Sequence, residues 1–338
     1  MKIKMDDIAR IANVSRSAVS LALNGKEGIS EETRTRIFKV IDEYDYKPLR
    51  KSKKSHVHEL ATVNLLVVKS SGLVGNNYRS LPFFDSLISS LSERISSTGG
   101  SLQINTIDVN NLPHELTELP SNTGASGTIV LATDLTKEQI QLIMKRLSNI
   151  VFIDTYFHDI NADFVTMDNY QGAYEAGLFM VNKGYRKIGY VASNKLISNF
   201  KMRRRGFKDA LSLHNIKINN NNFYTVSPTE LSPKGLDIHQ IIDHDAPDAI
   251  FCEDDYIATR MIKICLNMGI QVPKDLGIMG FDDIYEGTLL TPDLSTVHVP
   301  VQQITNQAIQ QLQGQVFSSH WAHQKSLIST SVIERKSI

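Results

Sequence analysis

Two short helical patterns near the N-terminus, separated by a very tight break, constrain the fold of this chain more than any other feature. Between residues 5 and 24, apolar side chains recur at helical spacing, pause over Asn13, Val14 and Ser15, and then resume. Ser15 is a favourable N-cap for a helix that begins at Arg16, because its hydroxyl can accept a hydrogen bond from a free amide of the first turn. Two helices joined by so tight a turn form a helix-turn-helix, whose second helix lies in the major groove of DNA.

A third helix is predicted over residues 30–44. Ser30 would cap it, since the third helical position, Thr33, offers a free backbone amide. Its apolar residues share one face and can pack against the first two helices. They are Ile37, Phe38, Val40 and Ile41. Three helices around one apolar centre would hold the DNA-reading helix rigidly; the alternative is a small bundle with no nucleic-acid role.

Charge is distributed unevenly between this N-terminal region and the rest of the chain. The formal net charge of the whole chain is zero. Residues 1–54 hold 13 Lys/Arg against 8 Asp/Glu, a net of +5, and the remaining 284 residues hold 23 against 28, a net of −5. A basic head on an acidic body is typical of a protein that touches phosphates at one end only.

Beyond residue 60, short apolar runs alternate with amphipathic helical patterns. Such alternation indicates parallel sheets that are covered by helices on both faces. Strands are predicted at 63–68, 102–107, 128–131, 150–153, 164–167, 187–192, 249–252 and 276–281. Helices are predicted at 82–95, 137–147, 170–182, 200–213, 236–242 and 256–268. Because this region is long for a single sheet, we predict two doubly wound lobes with a cleft between them.

The chain resembles the LacI/GalR family of transcriptional regulators. In the head the matching residues are Ile8-Ala9, Val14-Ser15, Val19-Ser20, Asn24, Ile29-Ser30, Thr33-Arg34 and the ending from Tyr44 to Pro48. In the body they lie at 167–177, 184–191, 203–211, 247–258, 269–283 and 292–297. The resemblance implies a small all-α helix-turn-helix headpiece at 1–48, a basic linker or hinge at 49–60, and an α/β periplasmic-binding-protein-like body at 61–338. That body, of two doubly wound parallel-sheet lobes, would bind an effector and form a dimer.

The predicted DNA contacts lie mainly on the second helix. Arg16 and Ser17 open that helix, so their side chains would face base edges. Arg16 could donate two hydrogen bonds to a guanine, with a phosphate contact as the alternative. Leu21, one turn further on, could touch a thymine methyl or serve only in packing. By position these three match the family's specificity residues, and Asn24 joins them as a predicted DNA contact.

The linker departs from the family's pattern. Many members have a hinge helix of small residues there, with a leucine that wedges into the minor groove, and Ser55 stands at that position in this chain. A serine cannot unstack a base step as an apolar wedge does. We therefore expect Arg50 and Lys53 to contact phosphates or the minor groove, with a disordered basic linker as the alternative.

Side chains at the ends of the predicted strands mark an effector site, because ligands of open α/β sheets bind outside the carboxyl ends of the strands. Asp282 matches the family's sugar- or base-binding aspartate; a helix cap is the alternative. Arg203 matches the family's effector-contacting arginine, although its two basic neighbours allow a solvated basic face instead. Asp254 stands where many members have asparagine, and a carboxylate can only accept hydrogen bonds.

Two further residues complete the predicted effector site. Asp154 directly follows a predicted strand. Phe84 could stack on a flat face of the ligand, or it could belong to the core.

We predict no catalysis, no cofactor and no metal. The sequence has no glycine-rich phosphate loop, no Gly-x-Ser-x-Gly elbow and no His-Glu-x-x-His motif. The acidic residues at 253–255 and 282–283 could hold a divalent cation, but sugar hydroxyls would account for the same carboxylates. Cys252 and Cys265 provide neither a disulfide framework nor a metal set, so we expect buried thiols in a reducing compartment.

The resemblance implies a ligand-responsive transcriptional regulator, specifically a repressor, controlled by a sugar or sugar phosphate. It would bind a pseudo-palindromic operator in double-stranded DNA as a homodimer. Without a signal peptide or a membrane-spanning run, we expect it in the cytoplasm. The alternatives are a small-molecule binding protein that has no regulatory DNA role and an enzyme built on this fold.

Overall fold

The structure separates a helical head from an α/β body. This computed structural model describes residues 4–23, 26, 28–44, 46, 60–119, 124–228 and 246–338. The chain divides into two compact units, residues 1–58 and 59–338. Asn24, the predicted linker as far as residue 59 (with Arg50, Lys53 and Ser55) and the helix predicted at 236–242 lie outside the described residues.

The described part of the head contains the three predicted helices, which are α1 (Met5–Ile11), α2 (Arg16–Leu23) and α3 (Glu31–Glu43). Asn13 turns the chain between α1 and α2 with φ 52°, a left-handed conformation that asparagine adopts more readily than most residues. Both predicted N-caps are confirmed. The Ser15 hydroxyl accepts a hydrogen bond from the Ala18 amide at 3.1 Å, and the Ser30 hydroxyl accepts one from the Thr33 amide at 3.2 Å.

The core of the head joins one face of each helix. Its most buried members are Ile8, Ala12, Val19, Ala22 and Ile37. The prediction that Phe38 belongs to this core is wrong, since its side chain is 39% exposed. One residue along an α-helix is a rotation of about 100°, which carries Phe38 off the face that Ile37 shares with Val40. Ile11, at the end of α1, is likewise exposed, at 41%.

The first lobe of the body is built on a sheet in which every neighbouring pair of strands is parallel. Its described strands are β1 (Thr62–Lys69), β2 (Ser101–Asp108), β3 (Gly127–Leu131), β4 (Ile150–Ile153), β5 (Asp163–Met167) and β11 (Lys325–Ile328). Their order across the sheet is β2-β1-β3-β4-β5-β11.

The second lobe has a smaller parallel sheet, in the order β7-β6-β8-β9. Its described strands are β6 (Ile188–Ser193), β7 (Phe223–Val226), β8 (Ala249–Cys252) and β9 (Gly277–Met279). Beside it, β10 (Thr296–His298) and β12 (Ser331–Ile333) form an antiparallel pair.

Helices cover both faces of each sheet. In the first lobe they are α4 (Pro82–Ser97), α5 (Leu112–Glu118), α6 (Lys137–Arg146) and α10 (Val301–Phe317). In the second lobe they are α7 (Asn169–Asn182), α8 (Ser198–Ser212) and α9 (Asp255–Asn267). Successive residues of β1 show the arrangement, because Leu65 packs in the core that includes α4 and α10, whereas Leu66 packs in the core that includes α5 and α6. Side chains alternate between the two faces of a strand, so a strand buried on both faces is apolar throughout.

The chain passes between the lobes at three places within the described residues. It crosses from β5 to α7 at Asp168, from β10 to α10 at residues 299–300, and from β11 to β12 at residues 329–330. The second lobe therefore consists of the segment between the first two crossings together with the C-terminal residues. The predicted two-lobed parallel α/β body is confirmed.

Candidate DNA interface and effector cleft

The head presents its predicted DNA contacts to solvent. Arg16 and Ser17 are both exposed at the start of α2. The Arg16 Nε lies 3.3 Å from Oδ1 of Asp6, and the Arg16 side chain remains 70% exposed. An exposed ion pair of this kind contributes little to stability, so the guanidinium can exchange Asp6 for a base edge or a phosphate at small cost.

Ser17 and Leu21 lie on the same helix in different surroundings. The hydroxyl of Ser17 is 2.8 Å from that of Ser15, the residue that caps α2. Leu21 is half-buried, and its Cδ1 would be 3.4 Å from a Cβ placed on Gly28. Leu21 thus packs partly against the head while a portion of its surface stays available to a ligand.

In the body, a cleft between the lobes contains all the residues predicted to bind an effector. As the lobes stand, the space enclosed among its side chains is about 20 Å³, enough for about one water molecule, so a ligand the size of a sugar can enter only when the lobes separate. The lining residues are Leu73, Phe83, Phe84, Thr133, Asp154, Ile197, Asn199, Phe200, Arg203, Asp254, Tyr256 and Asp282. Side chains far apart in the sequence meet here because the carboxyl ends of parallel strands face the cleft from both lobes.

Arg203 lies at the centre of the polar network in the cleft, and it is only 3% exposed. Its Nε donates to Oδ1 of Asn169 at 2.8 Å, and its other nitrogens donate to the Glu253 carbonyl at 2.7 Å and to Oδ1 of Asp282 at 2.9 Å. Its guanidinium also lies 3.7 Å from the centroid of the Phe281 ring. The alternative of a solvated basic face is therefore wrong for Arg203, and it holds only for Arg205, which is 70% exposed.

A glycine allows α8 to carry Arg203 into this position. A Cβ on Gly206 would lie 2.1 Å from the Tyr170 carbonyl oxygen, so α7 and α8 approach more closely here than any side chain would permit. Close packing brings Arg203 on α8 within hydrogen-bond distance of Asn169, the first residue of α7.

Aspartates at the ends of strands hold unusual backbone conformations. Asp154 has φ 59°, Asp282 φ 120° and Asp283 φ 59°, all in the region that L-residues seldom occupy. The Asp282 amide donates to the Val297 carbonyl at 2.9 Å, which helps to hold that backbone in place. Such strain concentrates at functional sites, where the surrounding structure enforces it.

Asp154 connects the two lobes. Its Oδ2 accepts a hydrogen bond from Oγ1 of Thr133 at 2.6 Å in the first lobe. Its Oδ1 accepts one from Nδ2 of Asn199, on α8 of the second lobe, at 2.8 Å. A second direct bond between the lobes runs from the Phe83 amide to the Tyr256 hydroxyl at 3.0 Å.

Asp254 is the residue whose role was least evident from the sequence. Its Oδ1 accepts a hydrogen bond from the Ile257 amide at 2.7 Å, so it is the N-cap of α9. Its Oδ2 has no partner among the described residues, although the residue is only 1% exposed. A buried carboxylate oxygen without a partner is costly in a folded protein and points to an interaction that the described residues do not supply.

Burial shapes the electrostatics of all three cleft carboxyls. It raises the pKa of Asp154 to about 7. Burial, and then the negative charge of Asp282, raise the pKa of Asp254 to about 8. Burial also raises the pKa of Asp282, against the opposing effect of the Arg203 guanidinium. The cleft therefore resists the accumulation of negative charge.

The neighbouring acidic residues are committed to structure. Glu253 is bonded to Arg204, Tyr190 and the Ser193 amide. Asp255 is bonded to Oγ1 of Thr296 and to the Ile284 amide. Within the described ranges, no group of three or more His, Cys, Asp or Glu side chains is arranged to hold a metal ion.

Several cleft residues were missed by the sequence interpretation. They are Leu73, Phe83, Thr133, Ile197, Asn199, Phe200 and Tyr256. Thr133 follows a strand as Asp154 does, so the strand-end rule applied to every predicted strand would have found it. Asn199 and Phe200 precede Arg203 on the same helix, but nothing in their local pattern separates them from ordinary helix residues.

Phe84 was predicted either to stack on the ligand or to belong to the core. Phe84 lines the cleft and is also 1% exposed within the main core, so both of its proposed roles are compatible with the structure.

Cys252 and Cys265 are free and buried, as predicted, and burial raises the pKa of each thiol, for Cys265 to about 11. In the described part of the chain, no helix is both long and apolar enough to cross a bilayer.

A helix-turn-helix head on a body whose two lobes enclose a polar cleft defines a ligand-responsive DNA-binding regulator. The family profile of bacterial regulatory proteins of the lacI family matches residues 4–48. The profile of the periplasmic binding protein-like domain matches residues 179–338. The chain belongs to the lacI family of bacterial regulatory proteins.

Curated relatives match the chain over almost its whole length. The chain is 28% identical over 337 residues to the ribose operon repressor of Haemophilus influenzae, which covers 99% of this chain and 98% of that protein. It is 24% identical over 339 residues to the transcriptional repressor PurR of Photobacterium profundum, with 98% and 97% covered.

Solved structures show the same fold. A complex of the transcriptional regulator CelR with cellobiose superimposes with a TM-score of 0.70 at 18% identity, covering 99% of each chain. The Lac repressor dimer bound to operator and an anti-inducer gives a TM-score of 0.68 at 16% identity, covering 100% of this chain and 99% of that one.

Proposed function

We propose that this chain is a transcriptional repressor whose hold on operator DNA is controlled by a small sugar-like effector bound between the lobes. It acts in the cytoplasm as a homodimer, with two heads on the half-sites of a pseudo-palindromic operator. The effector works by binding one arrangement of the lobes more tightly than the other, and that difference alters the spacing of the heads. The domain limits are 1–48 for the head, 49–60 for the linker and 61–338 for the body.

The observation that carries this proposal is the buried Arg203–Asp282 pair on the cleft wall. Fixed, charged hydrogen-bonding groups between two lobes suit a ligand with several hydroxyls, because each hydroxyl can both donate and accept. The aromatic rings of Phe84, Phe200 and Tyr256 lie on the same lining and offer faces against which a sugar ring can pack. The named relatives are consistent with this class, since one is a ribose operon repressor and one structural neighbour holds cellobiose.

In the head, Arg16, Ser17 and Leu21 contact base edges, and Asn24 joins them. Arg50 and Lys53 contact the DNA backbone from the linker. Double-stranded DNA and the effector are thus the partners, beside a second copy of the chain. No catalytic role is proposed. A turnover assay on the effector would distinguish the enzyme alternative.

The decisive experiment replaces Asp282 by Asn. This change keeps the shape of the side chain and removes its charge, so it should weaken effector binding about ten-fold or more, since charge-assisted hydrogen bonds are worth about 1.5–3 kcal/mol. Operator binding without effector should stay near normal. The effector is first identified by thermal shift against a sugar library. The measurement is then the effector concentration that produces half of the maximal change in operator binding.

Asp159→Asn is the matched control, because Asp159 is an exposed partner of Lys137 outside the cleft lining. It should leave both effector and operator binding unchanged. An unaltered effector response in Asp282→Asn would remove the cleft from the proposal. Failure of the unaltered full chain to bind any operator selected from random DNA would refute the regulatory role itself and favour a binding protein without a DNA role.

A further inference from the structure

The cleft contains more acidic groups than basic ones. Three carboxyl side chains line it, from Asp154, Asp254 and Asp282, against the single guanidinium of Arg203 among the described residues. Three nitrogens of that guanidinium are already bonded, to Asn169, to the Glu253 carbonyl and to Asp282. Because Asp282 offsets the charge of that guanidinium, the described lining offers an anionic ligand no net positive charge.

The three carboxyl groups differ in how well the protein satisfies them. Both oxygens of Asp154 accept hydrogen bonds, from Thr133 and Asn199. Asp282 is paired with Arg203. Asp254 alone combines near-complete burial, a place on the cleft wall and an oxygen, Oδ2, without a partner in the described chain. That oxygen points to a donor on the ligand.

The positive charges nearest to Asp254 do not supply this donor. Arg260 lies close enough to lower the pKa of Asp254, but its guanidinium donates to the carbonyls of Tyr256, Ser227 and Pro228, and it does not line the cleft. Arg203 bonds elsewhere, as described above. A donor that carries its own positive charge would make the strongest hydrogen bond with a buried carboxylate.

We propose that the effector carries an amino group, protonated in the complex, that pairs with Oδ2 of Asp254, and that phosphorylated sugars are excluded. The ligand class is thus an amine-bearing polyol, such as an amino sugar, and this assignment rests on the proposed effector role of the cleft. The rings of Phe84, Phe200 and Tyr256 favour the same charge, because an aromatic face attracts a cation. A phosphate would instead place further negative charge among three carboxyl groups that already resist ionisation.

The test uses matched sugars with the full chain. Glucosamine, galactosamine and mannosamine are compared by calorimetry with glucose, galactose and mannose, and with the corresponding 6-phosphates. At least one amino sugar should bind about ten-fold more tightly than its hydroxyl counterpart, and the phosphates should bind least. Asp254→Asn should bring the amine and hydroxyl forms to within about three-fold of each other. Asparagine also caps helices well, so α9 should stay intact.

Asp168→Asn is the matched control, because Asp168 is likewise a helix N-cap, of α7, and lies outside the cleft lining. It should keep the preference for the amine. A second readout is proton release, obtained by repeating the titration in buffers of different ionisation enthalpy. Near neutral pH the raised pKa of Asp254 keeps much of it protonated, so an ammonium group should expel a proton in the unaltered chain and not in Asp254→Asn.

Either of two results would overturn the inference. The first is that no amino sugar binds. The second is that every amino sugar binds no better than its hydroxyl or phosphate counterpart. If neutral sugars bind at least as tightly as every amino sugar and Asp282→Asn abolishes that binding, the inference fails while the sugar-controlled regulator stands.

Discussion

In the head, the candidate DNA contacts stand in solvent on a bundle that is already formed, whereas in the cleft the candidate effector contacts are buried and bonded to one another. Arg16 is 70% exposed and its partner Asp6 is 64% exposed. The side chains of Arg203 and Asp282 are 4% and 8% exposed. The same type of ion pair therefore serves two purposes, since the exposed pair is free to exchange and the buried pair helps to define the shape of the cleft.

This contrast teaches that function and stability are separable in the head and coupled in the cleft. An exposed charge can be removed at little cost to folding. A buried charge that loses its partner remains behind, uncompensated, in a medium that solvates it poorly.

The largest effect should come from removing the head altogether. Deletion of residues 1–58 should weaken binding to a selected operator by about 10³-fold or more, which is the usual margin between specific and non-specific binding. The remaining unit should still fold, because its hydrophobic cores do not include residues of the head. Gel-shift titration and circular dichroism would measure the two properties. Normal operator affinity in the truncated chain would contradict the assignment of DNA binding to the head.

Breaking the buried pair should have the next largest effect. Arg203→Ala leaves Asp282 buried without its cation, so it should lower the free energy of unfolding by about 3–5 kcal/mol. Arg205→Ala is the matched control, since that arginine is 70% exposed on the same helix, and it should cost less than about 0.5 kcal/mol. Urea unfolding of both variants would measure the difference. Equal stability of the two would show that burial does not couple function to stability here.

The exposed arginine of the head should show the opposite behaviour. Arg16→Ala should cost about 1–3 kcal/mol in operator binding and relax the preference at one base pair of each half-site. Its melting temperature should match that of the unaltered chain. Arg10→Ala, at an exposed position of α1, serves as the control in a binding-site selection. An unchanged sequence preference in Arg16→Ala would assign this residue to the phosphate backbone instead.

The last effect, which concerns stability and not DNA binding, should be a dependence of the melting temperature on pH. Because Asp254 has a pKa of about 8 in the folded chain and an ordinary value of 3.8 when unfolded, the folded state holds the proton more tightly. Its contribution to stability is therefore fully present below about pH 4 and is lost as the pH rises through about 8. The melting temperature should fall between about pH 5 and about pH 9, and Asp254→Asn should reduce that fall. A variant with an unreduced slope would place the titration on other groups, such as Asp154.

The difference between head and cleft also explains what the sequence could predict. The head depends on local patterns, so α1, α2, α3 and the caps at Ser15 and Ser30 followed from spacing alone. The central strands of the body followed from their apolar runs, and β4 and β8 have the predicted ends. β7, β10, β11 and β12 were not predicted, since each is only three or four residues long and contains at least one polar residue.

The contents of the cleft were predicted only where a strand end or the family resemblance marked a residue. Asp154, Asp254 and Asp282 follow strands, and Arg203 has a family counterpart. Asn199 and Tyr256 reach the cleft through the packing of helices whose relative placement is not encoded in local spacing. Whether Oδ2 of Asp254 has a hydrogen-bond partner depends on where the neighbouring donors lie, and those positions are set by the tertiary structure.

The direct hydrogen bonds between the lobes set the pace at which a ligand can enter and leave. A molecule that comes to lie among Asp154, Asn199 and Tyr256 must wait for the bonds from Asn199 to Asp154 and from Phe83 to Tyr256 to open. Association that waits for such an opening is slower than free diffusion would allow, and escape waits for the same event. The separation of the lobes therefore limits both the entry and the escape of the effector.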